Sequence, residues 1–481
     1  MAGIGFELKK IFKKNSIVAK FRGSTYACIT TIGPLLLVFA TLMIIYILLG
    51  YNNILFATRE RLSSTILYIF IFSLCTTSPF NSVLSRYVAD KIFENREEDI
   101  LPSYYAALGA NVIFSAAFGI PFTIWGVIVG RINILYMFIA YCGYFGLVLV
   151  FFSMLYLTAL KEYFKIAGAF FIGMGITVIL GVVFVKIFGI NVEYAIITAF
   201  GVGFLITGFL QFGLIRGYFK NNSGNYREVF SYFKLHWKLL ATNAFYTLGL
   251  YVHNFIFWTT SLRIVVDSTF VSAPTYDMAT FIAMMLNIST MVIFIVQVET
   301  NFHDQYQAYC QTVIGGTGED IRYAKKNMFE AIRKEMLYIF EMQAIITIAL
   351  YLVALIFLPT IGVGGMILAI TAPLAVAYLL IFMMYNLIIF IFYFNVYDKA
   401  MYTAIIFFSV TFIGSLISLH LTPNLYGLGV LAGAFSGFTY AYYSIRNIEK
   451  HLDHYIFCSG TIAPKIIDTE WGHTIFDNRG I

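Results

Sequence analysis

Neutral hydrogen-bonding side chains recur inside long apolar stretches of this chain, where an unpaired polar group is costly and therefore informative. Tyr26, Thr30 and Gly33 fall on one helical face just ahead of Pro34, and Ser73, Thr76, Thr77 and Asn81 follow in the next stretch. Asn243, Tyr246, Thr247, His253 and Asn254 run along one side of a later stretch, and Asn287, Thr290 and Gln297 recur in the one after it. Hydroxyls and amides interleaved with tyrosine rings offer many moderate hydrogen bonds and flat apolar faces. That combination suits an uncharged, hydroxyl-rich ligand such as a sugar chain. The same residue types also bond membrane helices to one another. Two readings therefore stand for Tyr26, Thr30, Thr77, Asn243, Tyr246, His253, Asn254, Asn287, Thr290 and Gln297: a substrate path, or interhelical glue.

Ionisable groups inside the apolar stretches are few. The His253 imidazole can titrate near neutral pH or bond a ligand, and simple packing against another helix is the alternative. Glu341 reads as an interfacial residue, with a proton relay as the other option. Arg86 and Glu299 end the second and eighth stretches at matching places, which makes them candidates for an inner gate if they pair; two separately solvated, snorkelling ends are the alternative. No GxxxxGK[ST], HExxH or GxSxG motif occurs, and each of these carries a definite chemistry. The acidic residues fall almost wholly in expected loops and helix ends. The five cysteines (Cys28, Cys75, Cys142, Cys310 and Cys458) have no CxxC or Cys/His spacing suited to a metal. Neither catalysis, nor a metal, nor a cofactor is expected.

These residues need a scaffold, and composition defines it. Of 481 residues, 60% are hydrophobic and 12% charged, about half the charged share of a soluble domain. Runs such as 34–49 are apolar on every face and long enough to cross a bilayer as helices; strands of a barrel would alternate. The pattern predicts an all-α integral membrane protein with twelve transmembrane helices at 23–50, 64–88, 104–130, 133–160, 165–187, 193–216, 238–260, 279–299, 336–358, 362–394, 400–420 and 425–445. Pro34, Pro79, Pro121 and Pro373 fall inside spans and can bend them.

With that count, all but five of the 31 Lys and Arg residues fall on the side of the termini, the exceptions being Arg59, Arg61, Arg131, Lys186 and Arg263. Basic loops favour the cytoplasm, so both termini are expected there, in a multi-pass cytoplasmic-membrane protein. The net charge of +6 is then explained by topology, and nucleic acid is not an expected partner. Matched inner loops divide the chain into two six-helix bundles in parallel repeat, a common transporter plan. The expected organisation is a basic amphipathic segment at 1–22, which is retained rather than cleaved, a first bundle at 23–216, an inner connector at 217–237, a second bundle at 238–445 and a cytoplasmic tail at 446–481.

The opening Met1-Ala2-Gly3-Ile4-Gly5-Phe6-Glu7-Leu8-Lys9-Lys10 resembles the start of the Pel exopolysaccharide transporter family. Ser85-Arg86-Tyr87-Val88-Ala89-Asp90 and Ala159-Leu160-Lys161-Glu162-Tyr163, leading towards 167–173, fit as well. The resemblance implies the superfamily of multidrug/oligosaccharidyl-lipid/polysaccharide flippases, hence a V-shaped, MATE-like alternating-access fold. It also implies export of a galactosaminoglycan-type polymer for biofilm matrix, with a cytosolic nucleotide-sugar glycosyltransferase and membrane accessory subunits as partners. Drug exporters of that superfamily often carry an acid in helix one, and residues 23–50 contain none. Phe6, Leu8, Ile11 and Phe12, set among Lys9, Lys10, Lys13 and Lys14, can lie on anionic lipid or dock the synthase. Two other functions stay open: a lipid-linked oligosaccharide or small-molecule antiporter, and a non-transporting membrane scaffold for the synthase.

Overall fold

The computed structural model describes residues 32–50, 54–160, 162–297, 302–453 and 455. The basic N-terminal segment, the C-terminal tail, Tyr26, Thr30 and Glu299 lie outside the described residues. The helices run, in order, α1 (Gly33–Leu48), α2 (Phe56–Phe93), α3 (Ile100–Ile128), α4 (Ile134–Ala159), α5 (Tyr163–Lys186), α6 (Val192–Tyr218), α7 (Glu228–Leu235) and α8 (Trp237–Phe257). A two-stranded antiparallel hairpin follows, β1 (Ile264–Val266) and β2 (Phe270–Ser272). The chain then forms α9 (Pro274–Asn287), α10 (Ser289–Gln297), α11 (His303–Gly315), α12 (Gly318–Phe357), α13 (Gly365–Tyr393), α14 (Tyr397–Ser418) and α15 (Leu428–Asp453).

Among the described residues, nine helices are long and apolar enough to cross a membrane, with the continuous stretch Pro274–Val296 counted as one, and α1 is a shorter apolar helix. Two expected spans fall on α8 and α15, whose polar side chains keep them outside that group. Asn243, Thr247, His253 and Asn254 of α8 are buried inside the protein, so polarity here reflects helix packing rather than exposure. At ~1.5 Å per residue, the 38 residues of α2 and the 40 of α12 run well past a hydrocarbon core ~30 Å thick.

In the expected span 279–299, the described part is interrupted at Ile288, which keeps helical dihedrals (φ −63°, ψ −27°) while the backbone bonding tightens locally to Ile288 N–Met285 O and Met291 N–Ile288 O. The break at Ile288 has no proline or glycine, and side chains take up the backbone groups around it. Asn287 donates to Ala283 O at 3.0 Å and to Ala375 O of α13 at 2.9 Å. Thr290 donates to Asn287 O at 2.7 Å, and Gln343 of α12 donates to Leu286 O at 3.1 Å. Thr347 closes the set by donating to the Asn287 side-chain oxygen at 2.8 Å. Such a break is tolerated at membrane depth only where neighbouring helices supply partners.

The two halves use small residues in the same way. In the first, α5 and α6 approach through glycines opposite threonines: a Cβ on Gly173 would meet Thr207 Oγ1 at 1.9 Å, and one on Gly203 would meet Thr177 Oγ1 at 1.8 Å. In the second, α14 and α15 touch at Gly414 and Gly429, where a Cβ on Gly429 would lie 2.4 Å from the Gly414 backbone, and Gly433 faces Thr411. Small residues let membrane helices pack backbone to backbone.

Candidate functional site

The N-terminal half of the chain (to α6) and the C-terminal half (from α8) pack together along α2, which runs antiparallel to α8, and also where Phe39 of α1 meets Phe281 of α9. A stripe on α2 (Arg61, Ser64, Tyr68, Phe72, Ser78, Ser82 and Arg86) follows the helical repeat and contacts the second half, and Asp90, one turn further, meets α7.

At one end, the hairpin between α8 and α9 docks on this stripe. Its tip turns through Asp267 and Ser268, both at φ 51°, a conformation that short polar residues adopt more readily than bulky ones. Arg61 Nε and Nη2 both donate to the Asp267 carboxylate, the latter at 3.1 Å, and Nη1 lies 3.6 Å from Glu193 at the start of α6. The Ser64 and Ser272 hydroxyls are 3.4 Å apart. Tyr68 OH donates to Val271 O at 2.8 Å and accepts from Val271 N at 3.1 Å, completing the free edge of β2. The Tyr68 ring stacks on Trp258 with centroids 5.2 Å apart and meets Phe270 edge-on at 5.3 Å.

Midway, Phe72 stacks on Phe255 at 6.0 Å. Asn243 donates to Ser82 Oγ at 2.7 Å and to Ser78 O at 3.2 Å.

The opposite end is ionic. Arg86 donates to Asn395 Oδ1 at 2.6 Å, lies over the Tyr397 ring and approaches Asp90 at 3.4 Å. Tyr232 of α7 bonds Asp90, and Lys91, only 4% exposed, pairs with Glu228 at 2.6 Å. Arg96 reaches Asp99 at 2.5 Å and Glu228 at 3.3 Å, and Ser223 donates to Asp99 at 2.5 Å. These bonds fasten the connector and α7 to the first half. On the other side, Lys238 at the start of α8 pairs with Asp398 at 2.7 Å. The junction between the two sets is His236, whose ring lies 4.3 Å from Tyr232 and 5.9 Å from Tyr397. Burial, and then the Arg86 charge, hold its pKa below the ordinary histidine value.

The sequence-predicted site residues divide by place. Asn243 lies on the seam itself. Thr77 lies in the α2 segment that forms the seam, buried, with its hydroxyl unpartnered among the described residues. Tyr246 packs against Tyr385 of α13, centroids 4.9 Å apart, with Tyr251 and Tyr378 in electrostatic range. None of these four tyrosine hydroxyls has a hydrogen-bond partner among the described residues. His253 is fully buried, with Nδ1 2.9 Å from Tyr276 OH. Asn254 donates to Asp277 at 2.7 Å, and Trp258 Nε1 and Ala273 N also donate to that carboxylate. Asn287 and Thr290 sit at the break in the eighth span, inside the second half. Gln297 ends α10. Arg86 bonds Asn395, and no pairing with Glu299 falls within the described residues.

The sequence pattern does not reveal the hairpin, whose strands are three residues each, nor Asp277, which precedes the expected span at 279–299. An acid one turn after Pro274 and next to Tyr276, at the edge of an apolar run, is the available signal. Glu341 is exposed on α12. Among the described residues Cys75, Cys142 and Cys310 are free, and no group of His, Cys, Asp or Glu is arranged to hold a metal.

The fold is similar to those of solved membrane transporters. A multidrug resistance MATE family transporter of the MOP superfamily, in an outward-facing conformation, aligns with TM-score 0.59 at 14% identity over 89% of this chain and 97% of that one. The Vibrio cholerae MATE transporter VcmN, in the bent form, gives 0.56 at 10% identity over 94% and 99%. A MOP superfamily transporter from Pyrococcus furiosus gives 0.56 at 13% identity over 89% and 97%. The protein is thus a multi-pass membrane protein with a MATE-like transporter fold. Residues 1–457 match the family described as "PelG: Putative exopolysaccharide Exporter (EPS-E)", and the chain belongs to that family. Among curated proteins, no sequence matches it.

Proposed function

We propose that this protein exports a Pel-like galactosaminoglycan across a bacterial cytoplasmic membrane. Its two halves, six spans each at 23–216 and 238–445, part alternately at the hairpin end and at the connector end. Each of the twelve expected spans overlaps a described helix, α8 and α15 included, which supports that division. The distribution of Lys and Arg puts the connector end and both termini in the cytoplasm. The hairpin is then the outer lock and the Arg86–Asn395 layer the inner one.

The observation that carries this reading is the neutral polar interior beside the seam. Tyr246, Tyr251, Tyr378 and Tyr385 present rings and hydroxyls without a hydrogen-bond partner among the described residues, and Thr77 adds another such hydroxyl. Sugar rings stack on such faces, and their hydroxyls bond to such groups without any charge having to be matched. Asp277 already accepts hydrogen bonds from three groups, so it stabilises the α8–α9 corner rather than offering a free carboxylate. A cytosolic glycosyltransferase using nucleotide sugars would deliver polymer at the connector end, with membrane accessory subunits alongside.

The test is secretion of polymer by cells that lack the chromosomal gene but keep the synthase, complemented with variants. Tyr246→Ala and Tyr385→Ala should each cut surface polymer at least fivefold at equal protein level. Normal secretion from the deletion strain, or from both variants, defeats the proposal.

A further inference from the structure

A cavity of about 220 Å³ lies at the hairpin end, between α2, α3, α4 and the hairpin. Its wall includes Tyr68 and Phe72 from α2, Phe118 and Phe122 from α3, Tyr144 from α4 and Phe270 from the hairpin. Most of its hydroxyls are already spent. Tyr68 is bonded to Val271, Tyr144 donates to Ser115 O at 3.1 Å, Thr65 donates to Arg61 O at 2.8 Å and Thr123 donates to Gly119 O at 2.8 Å. A sugar placed here would lose its hydrogen bonds to water and gain few in return. An apolar chain loses nothing.

Part of the cavity wall reaches the apolar perimeter. Phe118 is 54% exposed, and Phe114 and Trp125, on the same side of α3, are also exposed. In a membrane protein that face meets hydrocarbon. Arg131, in the turn between α3 and α4 at the same end, is exposed and has no ion-pair partner among the described residues. A cation at the same end of α3 and α4 as an apolar slot matches an anionic headgroup whose tail enters the slot.

We propose that this cavity holds an acyl chain of a bilayer phospholipid whose phosphate sits at Arg131, and that the lipid favours the docked hairpin. The coupling follows from the wall. Phe270 belongs to the second half, and Tyr68, from the first, is the residue whose hydroxyl holds Val271. Undocking the hairpin removes one side of the slot, and a ligand shifts an equilibrium towards the state that it binds better.

The test uses the full chain with Trp125, Trp237 and Trp471 replaced by Phe, so that only Trp258, stacked on Tyr68, fluoresces. In vesicles of phosphatidylglycerol brominated on the acyl chain, Trp258 emission should fall at least twofold relative to unbrominated lipid. Ala140→Phe, which fills the cavity from α4, should restore the emission; Thr123→Phe serves as a second filler if the first does not fold. Arg131→Glu should weaken the quenching. Hydrogen exchange of the Val271 amide should slow severalfold on transfer from detergent to phospholipid, and in Ala140→Phe it should not respond to the transfer. Quenching that is absent, or equal in both filled variants and the parent, overturns the site. An Arg131→Glu chain quenched as strongly as the parent overturns the headgroup contact, and Val271 exchange insensitive to lipid overturns the coupling.

Discussion

Replacing Arg61 with alanine should release the hairpin. The guanidinium makes two charge-assisted bonds to Asp267 and lies 3.6 Å from Glu193. Without it, two carboxylates face each other with no cation between them. Hydrogen bonds to charged groups contribute ~1.5–3 kcal/mol each when desolvated. Arg61 and Asp267 side chains are each 25% exposed, so solvent screening removes part of that. A net loss of about 2 kcal/mol for the pair corresponds to a shift of roughly 30-fold in the docked-to-undocked ratio. The assay is electron–electron distance measurement between spin labels at Val129 and Val265 in a chain without its natural cysteines, run as a double-mutant cycle of Arg61→Ala and Asp267→Ala. The cycle should give a coupling of about 1–2 kcal/mol, smaller at high salt because the pair is partly exposed. A coupling under about 0.3 kcal/mol, or an unchanged distance distribution in the folded Arg61→Ala chain, refutes the electrostatic lock.

Other consequences follow from the same geometry. Asn287→Leu strips partners from Ala375 O and Thr347 at the break in the eighth span, and should lower stability by about 2–4 kcal/mol, read as a fall in thermal midpoint in detergent. Gly429→Leu would drive its side chain into the Gly414 backbone and should leave little folded protein after membrane extraction, whereas Gly213→Leu, with open space around it, should extract normally. His236 binds a proton more weakly in the fold than in the unfolded chain. Stability is therefore full above pH ~6.5 and declines as the pH falls below that value, until His236 itself protonates in the fold. His236→Phe should flatten that part of a melting-temperature profile.

Hydropathy made the helices legible, because a lipid-facing run must be apolar and must satisfy its own backbone. Even α8 and α15 could be read, since their flanking charges bound them. The break at Ile288 was not legible. No breaker marks it, and the side chains that bond there, Gln343 and Thr347, lie more than fifty residues away in sequence. The hairpin was hidden for a related reason: three-residue strands have no periodicity, and their stability comes from Tyr68 on the facing helix. In the candidate site, Asn243 and Tyr246 stood out because polarity in an apolar run must be explained. His253, Asn254 and Asn287 stood out equally, yet their bonds run to Tyr276, Asp277 and Ala375. Spacing tells which face a residue occupies, and only the fold tells whether that face meets a path or another helix. For Arg86, matched in sequence with Glu299, the described partner is Asn395, in a turn with φ 57° that no repeat argument singles out.

The central claim is that the halves must part at the hairpin for polymer to leave. Ser64 and Ser272, with hydroxyls 3.4 Å apart, are close enough for a disulfide between cysteines at these positions. The decisive measurement is surface polymer from cells expressing Ser64→Cys/Ser272→Cys in a chain without its natural cysteines. Export should stop when the pair is oxidised and resume on reduction, with each single cysteine variant unaffected by either treatment. Undiminished export from a fully cross-linked population would contradict the account.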